Sequence, residues 1–245
     1  MTPQAPPGER DRLLRDLIDA LGGASRISQV GSYARDAVLE YSGEAGAAAR
    51  AGMRRDVPDT PFHATLRARL REGAGRETTF RAAPGRLRVE VRTAGSGGAR
   101  SLLALAGPGA RHDERGVAHG PEGPAECPAC AGDTLLREAA YEPRNLLAHA
   151  AERGAVPAAA SDGAIEIALP AEGLVYRFDR ATGLCARRID PRRGVVTHYG
   201  GWRRVGGVAT PFLEIDETPD GVFERRVLAV AYDLPLFPAL APIMM

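Results

Sequence analysis

The chain has 245 residues, 44% of them hydrophobic, and its 32 basic residues almost balance 31 acidic ones. That length suits one all-β domain and is enough to bury a core. The charge balance argues against a nucleic-acid partner, which normally requires a basic excess on one face. No apolar run approaches the roughly 18 residues of a transmembrane helix, and three cysteines exclude a disulfide scaffold.

The proline-rich residues 1–8 predict a disordered lead-in to a single domain over 9–245. They lack the basic and apolar regions of a signal peptide, so the sequence as written predicts a cytoplasmic protein. A proline-rich start also resembles the linker that remains after a signal has been removed, and the protein is then periplasmic. Both compartments stay open.

Glu9–Leu21 predicts an amphipathic helix. Leu13, Leu17 and Leu21 recur on one face at helical spacing, and charged residues lie opposite. Gly22 and Gly23 supply the end of the helix. We expect the leucine stripe to pack into the face of a sheet.

The hydrophobic period then changes from 3.6 to 2. Alternating apolar residues predict half-buried strands with one solvated face. The clearest runs are His63–Arg71, Leu87–Val91, Ile165–Leu169, Leu174–Phe178 and Val222–Tyr232. About nine or ten such runs, separated by Gly and Pro turns, predict an antiparallel meander in a mainly β (α+β) fold.

Two segments interrupt this pattern. Ser42–Pro61 predicts an irregular connection, and the Gly- and Pro-rich Gly107–Gly132 predicts a long loop. Two helical pieces, Thr134–Tyr141 and Arg144–Arg153, follow on either side of Pro143.

Four potential metal ligands fall in the predicted loop. They are His112, His119, Cys127 and Cys130. Two His and two Cys side chains suit tetrahedral zinc, but their order matches no standard zinc finger. A lone C-x-x-C pair also occurs as a local disulfide or a redox pair. Zinc, disulfide or redox, and incidental interpretations all stay open, and no other cofactor is predicted.

The remaining groups with chemical potential are interpreted as structural. Cys185 is expected to be buried in a strand as a small hydrophobe. Glu214 and Asp216 point to the opposite strand face from Glu217, so these carboxylates predict a solvated surface. The five His residues are dispersed, without a recognisable nucleophile and base.

Large apolar residues are available to line a cleft in a curved sheet. They are Leu17, Tyr33, Leu39, Phe80, Tyr176, Phe178, Trp202 and Phe212. The same residues would serve equally well as a plain hydrophobic core.

Residues 176–184, Tyr-Arg-Phe-Asp-Arg-Ala-Thr-Gly-Leu, resemble a hairpin of the lipoprotein-carrier superfamily, in which Asp179 opens the turn and Gly183 takes a positive φ. Residues 199–211 resemble the strand pair that follows, and residues 143–147 the family's covering helix. The resemblance implies an open half-barrel: a curved antiparallel sheet with an N-terminal helix and a helical lid on its concave face.

In that family the fold carries or sorts outer-membrane lipoproteins, so the resemblance favours a non-enzymatic binding or carrier module for a lipid or another apolar small molecule. The alternative is an enzyme of specialised metabolism that uses the same trough, with a metal or thiol site at Cys127 and Cys130. An accessory interaction domain without a ligand is the third interpretation, and the sequence identifies no protein partner.

Overall fold

The computed structural model of the protein describes residues 7–44, 46, 51–53, 61–82, 86–95, 98–106, 115–120, 123–131, 142–160 and 162–233. Over these residues the fold is a mostly antiparallel β-sheet with few helices, and the sheet does not close, as the sequence predicts. None of the described helices is long and apolar enough to cross a membrane.

The helices are α1 (Pro7–Leu21), α2 (Ala24–Gln29), α3 (Pro61–Leu70) and α4 (Pro143–Ala148). The strands before α4 are β1 (Ser32–Ser42), β2 (Gly75–Ala82), β3 (Arg86–Gly95), β4 (Gly98–Ala106), β5 (Arg115–Gly120) and β6 (Gly123–Ala131). The strands after it are β7 (Val156–Ala159), β8 (Ile165–Leu169), β9 (Leu174–Phe178), β10 (Cys185–Asp190), β11 (Val195–Gly200), β12 (Arg203–Val205), β13 (Val208–Thr210), β14 (Leu213–Thr218) and β15 (Gly221–Tyr232).

These elements form two compact units. The first unit contains α1, α2, α4, β7 to β14 and β15 as far as Glu224, with the sheet order β14-β11-β10-β9-β8-β7 and a separate β12–β13 hairpin. The second unit contains β1, α3, β2 to β6 and β15 from Arg225 onward, and its strands run β6-β5-β4-β3-β2-β1. The single domain over 9–245 stays a prediction.

Helix α1 confirms the predicted amphipathic helix. Leu13, Leu17 and Leu21 are buried. The helix ends in a Schellman motif, because Gly22 N–H donates to the Asp19 carbonyl and Gly23 N–H to the Ile18 carbonyl, both glycines having positive φ. It begins at Pro7, inside the predicted lead-in, and residues 1–6 lie outside the described residues.

The strand predicted over His63–Arg71 is wrong, because Pro61–Leu70 forms α3. Leu66 and Leu70 are both buried, and residues four apart share one face of a helix. The alternation of Ala with Arg imitated a period of two, although both residue types favour helices.

The predicted loop over Gly107–Gly132 is also wrong where β5 and β6 lie. β5 pairs with β4, with Leu103 opposite His119, and β6 pairs with β5. Proline cannot donate a hydrogen bond to a neighbouring strand, so sheets tolerate it mainly in edge strands. β6 is such a strand, because it stands at the end of the sheet order and pairs only with β5. The predicted helix Thr134–Tyr141 lies outside the described residues, and α4 is shorter than Arg144–Arg153, with turns continuing to Gly154.

Candidate ligand-binding site

In the first unit a layer of helices packs on an apolar sheet face. The helices contribute Leu13, Leu17, Leu21, Ile27, Leu146 and Leu147. The sheet contributes Ile165, Ile167, Leu169, Leu174, Tyr176, Phe178 and Cys185. Full burial of each large apolar side chain is worth about 1.5–3 kcal/mol. The shared interface therefore holds α1 and α4 on the sheet mainly through non-directional contacts.

The C-terminal end of α1 is fixed against the β12–β13 hairpin. Arg204 Nη2 donates to the Ala20 carbonyl in the last turn of α1 at 3.2 Å, and Arg26 Nε of the following α2 donates to the Gly206 carbonyl at 2.6 Å. A Cβ at Gly22 would lie 2.6 Å from the Gly207 carbonyl oxygen, so only glycine permits this approach.

The β9–β10 turn contacts the same helix. Asp179 accepts hydrogen bonds from the Thr182 hydroxyl and backbone N–H, both at 2.8 Å, and they hold the Asp179 pKa below its usual range. Gly183 has a φ of +67°, and a Cβ there would lie 2.5 Å from the Ala20 Cβ. Both predicted turn roles are confirmed, and the tight approach of the turn to α1 was not anticipated.

The same sheet face becomes polar toward β14. Tyr176, Arg188, Thr197 and Asp216 lie in one cross-strand row. Arg188 Nη2 donates to Thr197 Oγ1 at 2.8 Å, and that hydroxyl donates to Asp216 Oδ1 at 2.5 Å. Burial raises the pKa of the Tyr176 phenol and of the Cys185 thiol. Both groups are therefore protonated at neutral pH.

The burial of Cys185 and Glu214 confirms one sequence interpretation and corrects another. Cys185 is buried, as predicted. The solvated surface predicted for the β14 carboxylates is wrong for Glu214, whose side chain is 8% exposed. Glu217 lies 3.3 Å from His198 Nε2. The alternation of β14 places Glu217 on the opposite strand face from Glu214 and Asp216, as predicted. The sequence does not show which of the two faces is buried, because that depends on the pairing of β14 with β11.

Half of the predicted ligand-binding residues meet at the helix-covered core. They are Leu17, Tyr176 and Phe178, which are fully buried, and Trp202, which packs against the cluster beside Tyr199. Phe212 lies in the same unit outside that cluster, where Arg203 Cζ is 4.3 Å from its ring centroid. Their role in binding a ligand stays a prediction.

The other predicted ligand-binding residues lie in the second unit. Tyr33 and Leu39 are buried there, whereas Phe80 is half-buried. Tyr33 makes an edge-to-face contact with Tyr232, with ring centroids 6.3 Å apart.

The second unit also buries a carboxylate that sequence reasoning missed. Glu77 is 3% exposed and accepts hydrogen bonds from Arg225 and Arg35 at 3.0 Å and from Thr79 at 3.2 Å. Burial by itself would raise the pKa of Glu77, but the Arg225 and Arg35 charges and the hydrogen bonds lower it to about 2. The polar run Arg76–Thr79 gives no sign of burial in the sequence. The cluster forms because β1 brings Arg35 and β15, on the other side of β1, brings Arg225 to Glu77.

The predicted zinc site stays a prediction. His112 lies outside the described residues. His119 lies on β5, and Cys127 and Cys130 lie on β6, but their side chains are outside the described part of the structure. Among the described side chains, no group of three or more metal-binding residues occurs.

A surface cleft of about 450 Å³ lies on the opposite face of the same sheet in the first unit. It is formed by the β7–β8 and β9–β10 turns and the neighbouring strands, and it is lined by Asp162, Gly163, Ala164, Arg177, Phe178, Asp179, Arg180, Ala181, Ala186 and Arg187. Charged and small residues dominate the lining, so this cleft differs from the predicted apolar trough.

Comparison with solved structures supports the fold. The crystal structure of a DUF1329 family protein from Desulfovibrio piger matches with a TM-score of 0.50 and 10% identity, over 94% of this chain and 96% of that one. The crystal structure of a LolA superfamily protein from Nitrosomonas europaea matches with a TM-score of 0.47 and 10% identity, over 91% and 94% of the two chains. At 10% identity, the likeness to the Desulfovibrio piger protein concerns the fold alone. No protein-family model and no curated protein sequence matches the chain.

Proposed function

We propose that the protein is a non-enzymatic binding or carrier module for a lipid, an acyl chain or another apolar molecule. The ligand is held between the helices and the sheet of the first unit. The observation that supports this proposal is the interface of α1 and α4 with β8 and β9, where both surfaces are apolar and fully buried.

The interface suits an apolar ligand because the ligand can replace contacts of the same kind. Each buried CH₂ group of an acyl chain is worth about 0.8 kcal/mol, so a partly enclosed chain offsets part of the cost of lifting the helices. The ligand needs no specific polar partner at this position. The backbone contacts of Gly22 and Gly183 hold one end of α1 in place while its apolar face separates from the sheet.

The titratable groups at this interface favour binding over catalysis. Tyr176 and Cys185 are protonated at neutral pH because burial raises their pKa values. A protonated thiol is a poor nucleophile. The enzyme alternative depends on Cys127 and Cys130, and no contact of the described residues favours it.

Uptake of a fluorescent fatty-acid probe tests the proposal. Trp202→Asp places a charge at the edge of the apolar cluster without burying it centrally, and we expect uptake to be lost. Leu228→Asp is the matched control, because Leu228 is 49% exposed on β15 and the same charge there is solvated. The double change Cys127→Ser and Cys130→Ser should leave uptake unchanged.

Circular dichroism must show the same β-sheet signal in all variants. Equal uptake by the Trp202→Asp protein and the parent would contradict the proposed site. Loss of uptake in the double cysteine variant alone would transfer the function to β6.

A further inference from the structure

The charged cleft of the first unit has a feature that the proposed function does not use. Gly163, Ala164, Ala181 and Ala186 line the cleft, and their small side chains leave space in it. The charged residues that line the cleft are Arg177, Arg180, Arg187, Asp162 and Asp179.

A β-bulge in β10 turns Arg187 toward this cleft. The register with β9 shifts between Cys185 and Arg187. Cys185 and Arg188 are both buried on the inner face, so the bulge leaves Ala186 and Arg187 together on the outer face. Bulges commonly re-aim a side chain in this way.

The bulge places two like charges directly opposite each other. Arg187 is the register partner of Arg177, and like charges in such cross-strand pairs are destabilising. Arg177 has counter-charges, since it hydrogen-bonds Asp162 and its Nε lies 3.1 Å from Glu166. Within the described part of the chain, the guanidinium of Arg187 has no acidic partner.

The other charges at the cleft do not supply that partner. The Asp179 carboxylate is engaged by the Thr182 hydroxyl and backbone N–H inside its own turn. Arg180 is exposed on the same turn, and its guanidinium makes no ion pair with any described residue. The cleft therefore presents two guanidinium groups, those of Arg180 and Arg187, that form no ion pair with a described carboxylate, although the charge of Asp179 remains nearby.

We propose that this cleft binds a phosphate group through Arg180 and Arg187. Guanidinium groups bind phosphate oxygens in a planar, bidentate geometry, and two of them match the charge of a phosphate monoester. The volume of about 450 Å³ leaves room for a small organic group attached to that phosphate. Arg180 and Arg187 lie outside the apolar cluster, although Phe178 of that cluster also lines the cleft, and the proposed phosphate site does not depend on the proposed lipid-binding function.

Titration calorimetry of the full chain with inorganic phosphate and with glycerol 3-phosphate, at physiological ionic strength, tests the site. We expect saturable binding that weakens about tenfold or more in Arg187→Gln and in Arg180→Gln. Arg192→Gln is the matched control, because Arg192 is exposed on the neighbouring β10–β11 turn and makes no ion pair with any described residue. Its affinity should equal that of the parent.

A second arm identifies the source of the phosphate. Sedimentation with phosphatidylcholine vesicles, with and without phosphatidylglycerol, reports a lipid headgroup. Binding of either kind that requires Arg180 and Arg187 but not Arg192 supports the site. Absence of binding to all of these probes at millimolar phosphate overturns it, and so does binding that falls equally in the Arg192→Gln protein. Arg180→Gln lies in a solvated turn, so an unchanged melting temperature will separate lost binding from lost folding.

Discussion

The clearest contrast between the two units is between a helix-covered apolar interface in the first and a buried ion cluster in the second. In the first unit α1 and α4 cover aliphatic and aromatic side chains of β8 and β9. In the second unit the strands bury Glu77 between Arg35 and Arg225. An apolar ligand can replace apolar contacts, but disturbing the ion cluster leaves a buried charge without its partner, which is costly. We therefore expect the proposed apolar ligand to enter the first unit and the ion cluster to make the second unit rigid.

Breaking the ion cluster should have the largest effect. Glu77→Gln keeps the side-chain shape but leaves the charges of Arg35 and Arg225 uncompensated, and we expect a loss of about 3–5 kcal/mol in the free energy of unfolding. Urea denaturation followed by circular dichroism measures it.

The matched control is Asp36→Asn, which breaks the exposed pair of Asp36 with Arg76 in the same sheet. Exposed ion pairs contribute about 0–1 kcal/mol, so this change should be small. Similar losses in the two variants would remove the distinction between the buried cluster and a surface ion pair.

The apolar side of the comparison is tested by Leu17→Ala. Leu17 is fully buried on the sheet-facing side of α1, so its truncation should cost about 2–5 kcal/mol of unfolding free energy. Leu228→Ala makes the same chemical change at an exposed position and should stay within about 0.5 kcal/mol. A Leu17→Ala loss as small as that of Leu228→Ala would mean that α1 does not hold the core.

Acid should weaken the second unit through Glu77. Its pKa is lowered from 4.5 to about 2, so its contribution is complete above about pH 4.5 and is lost as the pH falls toward 2. The contribution at neutral pH is about 3 kcal/mol. The parent should therefore lose more unfolding free energy between pH 7 and pH 3 than Glu77→Gln does, and identical pH profiles would show that the cluster does not lower this pKa.

The smallest expected loss of stability comes from a substitution in the β9–β10 turn, which lies close to α1. Gly183→Ala and Gly163→Ala both place alanine at a positive φ, but only the Cβ at residue 183 meets another atom, the Ala20 Cβ. We expect Gly183→Ala to cost about 1–3 kcal/mol more than Gly163→Ala, because only it adds overpacking to backbone strain. Equal melting temperatures would place the turn away from α1.

Local patterns predicted the first unit better than the second. The leucine stripe of α1, the alternation in β8 and β9 and the hairpin at Asp179 each contain their own signal within about ten residues. Glu77 carries no such signal, because Arg35 and Arg225 reach it only through the pairing of distant strands.

Two errors arose because the outcome depended on packing against distant residues, which a local pattern does not contain. Residues 63–71 alternate like a strand, yet Leu66 and Leu70 are also about one helical turn apart. The segment forms a helix, in which both leucines are buried. Proline in residues 123–131 indicated a loop because the sequence does not reveal that β6 is an edge strand. The sequence indicated Leu17, Tyr176, Phe178 and Trp202 as apolar residues that could meet, and they do meet at one core, while their role in ligand binding stays a prediction. The bulge that turns Arg187 toward the charged cleft has no signal in the sequence.

The central claim is that an apolar ligand binds beneath the helices of the first unit. Trp202 is the chain's one tryptophan and packs against that core, so its fluorescence reports contact with a ligand there. The measurement is a titration with a brominated fatty acid, whose bromine atoms quench nearby tryptophan, beside the unbrominated acid of equal length. We predict saturable quenching by the brominated acid only. Unquenched Trp202 fluorescence, under conditions in which a displaced fluorescent probe shows that the brominated acid is bound, would contradict the account.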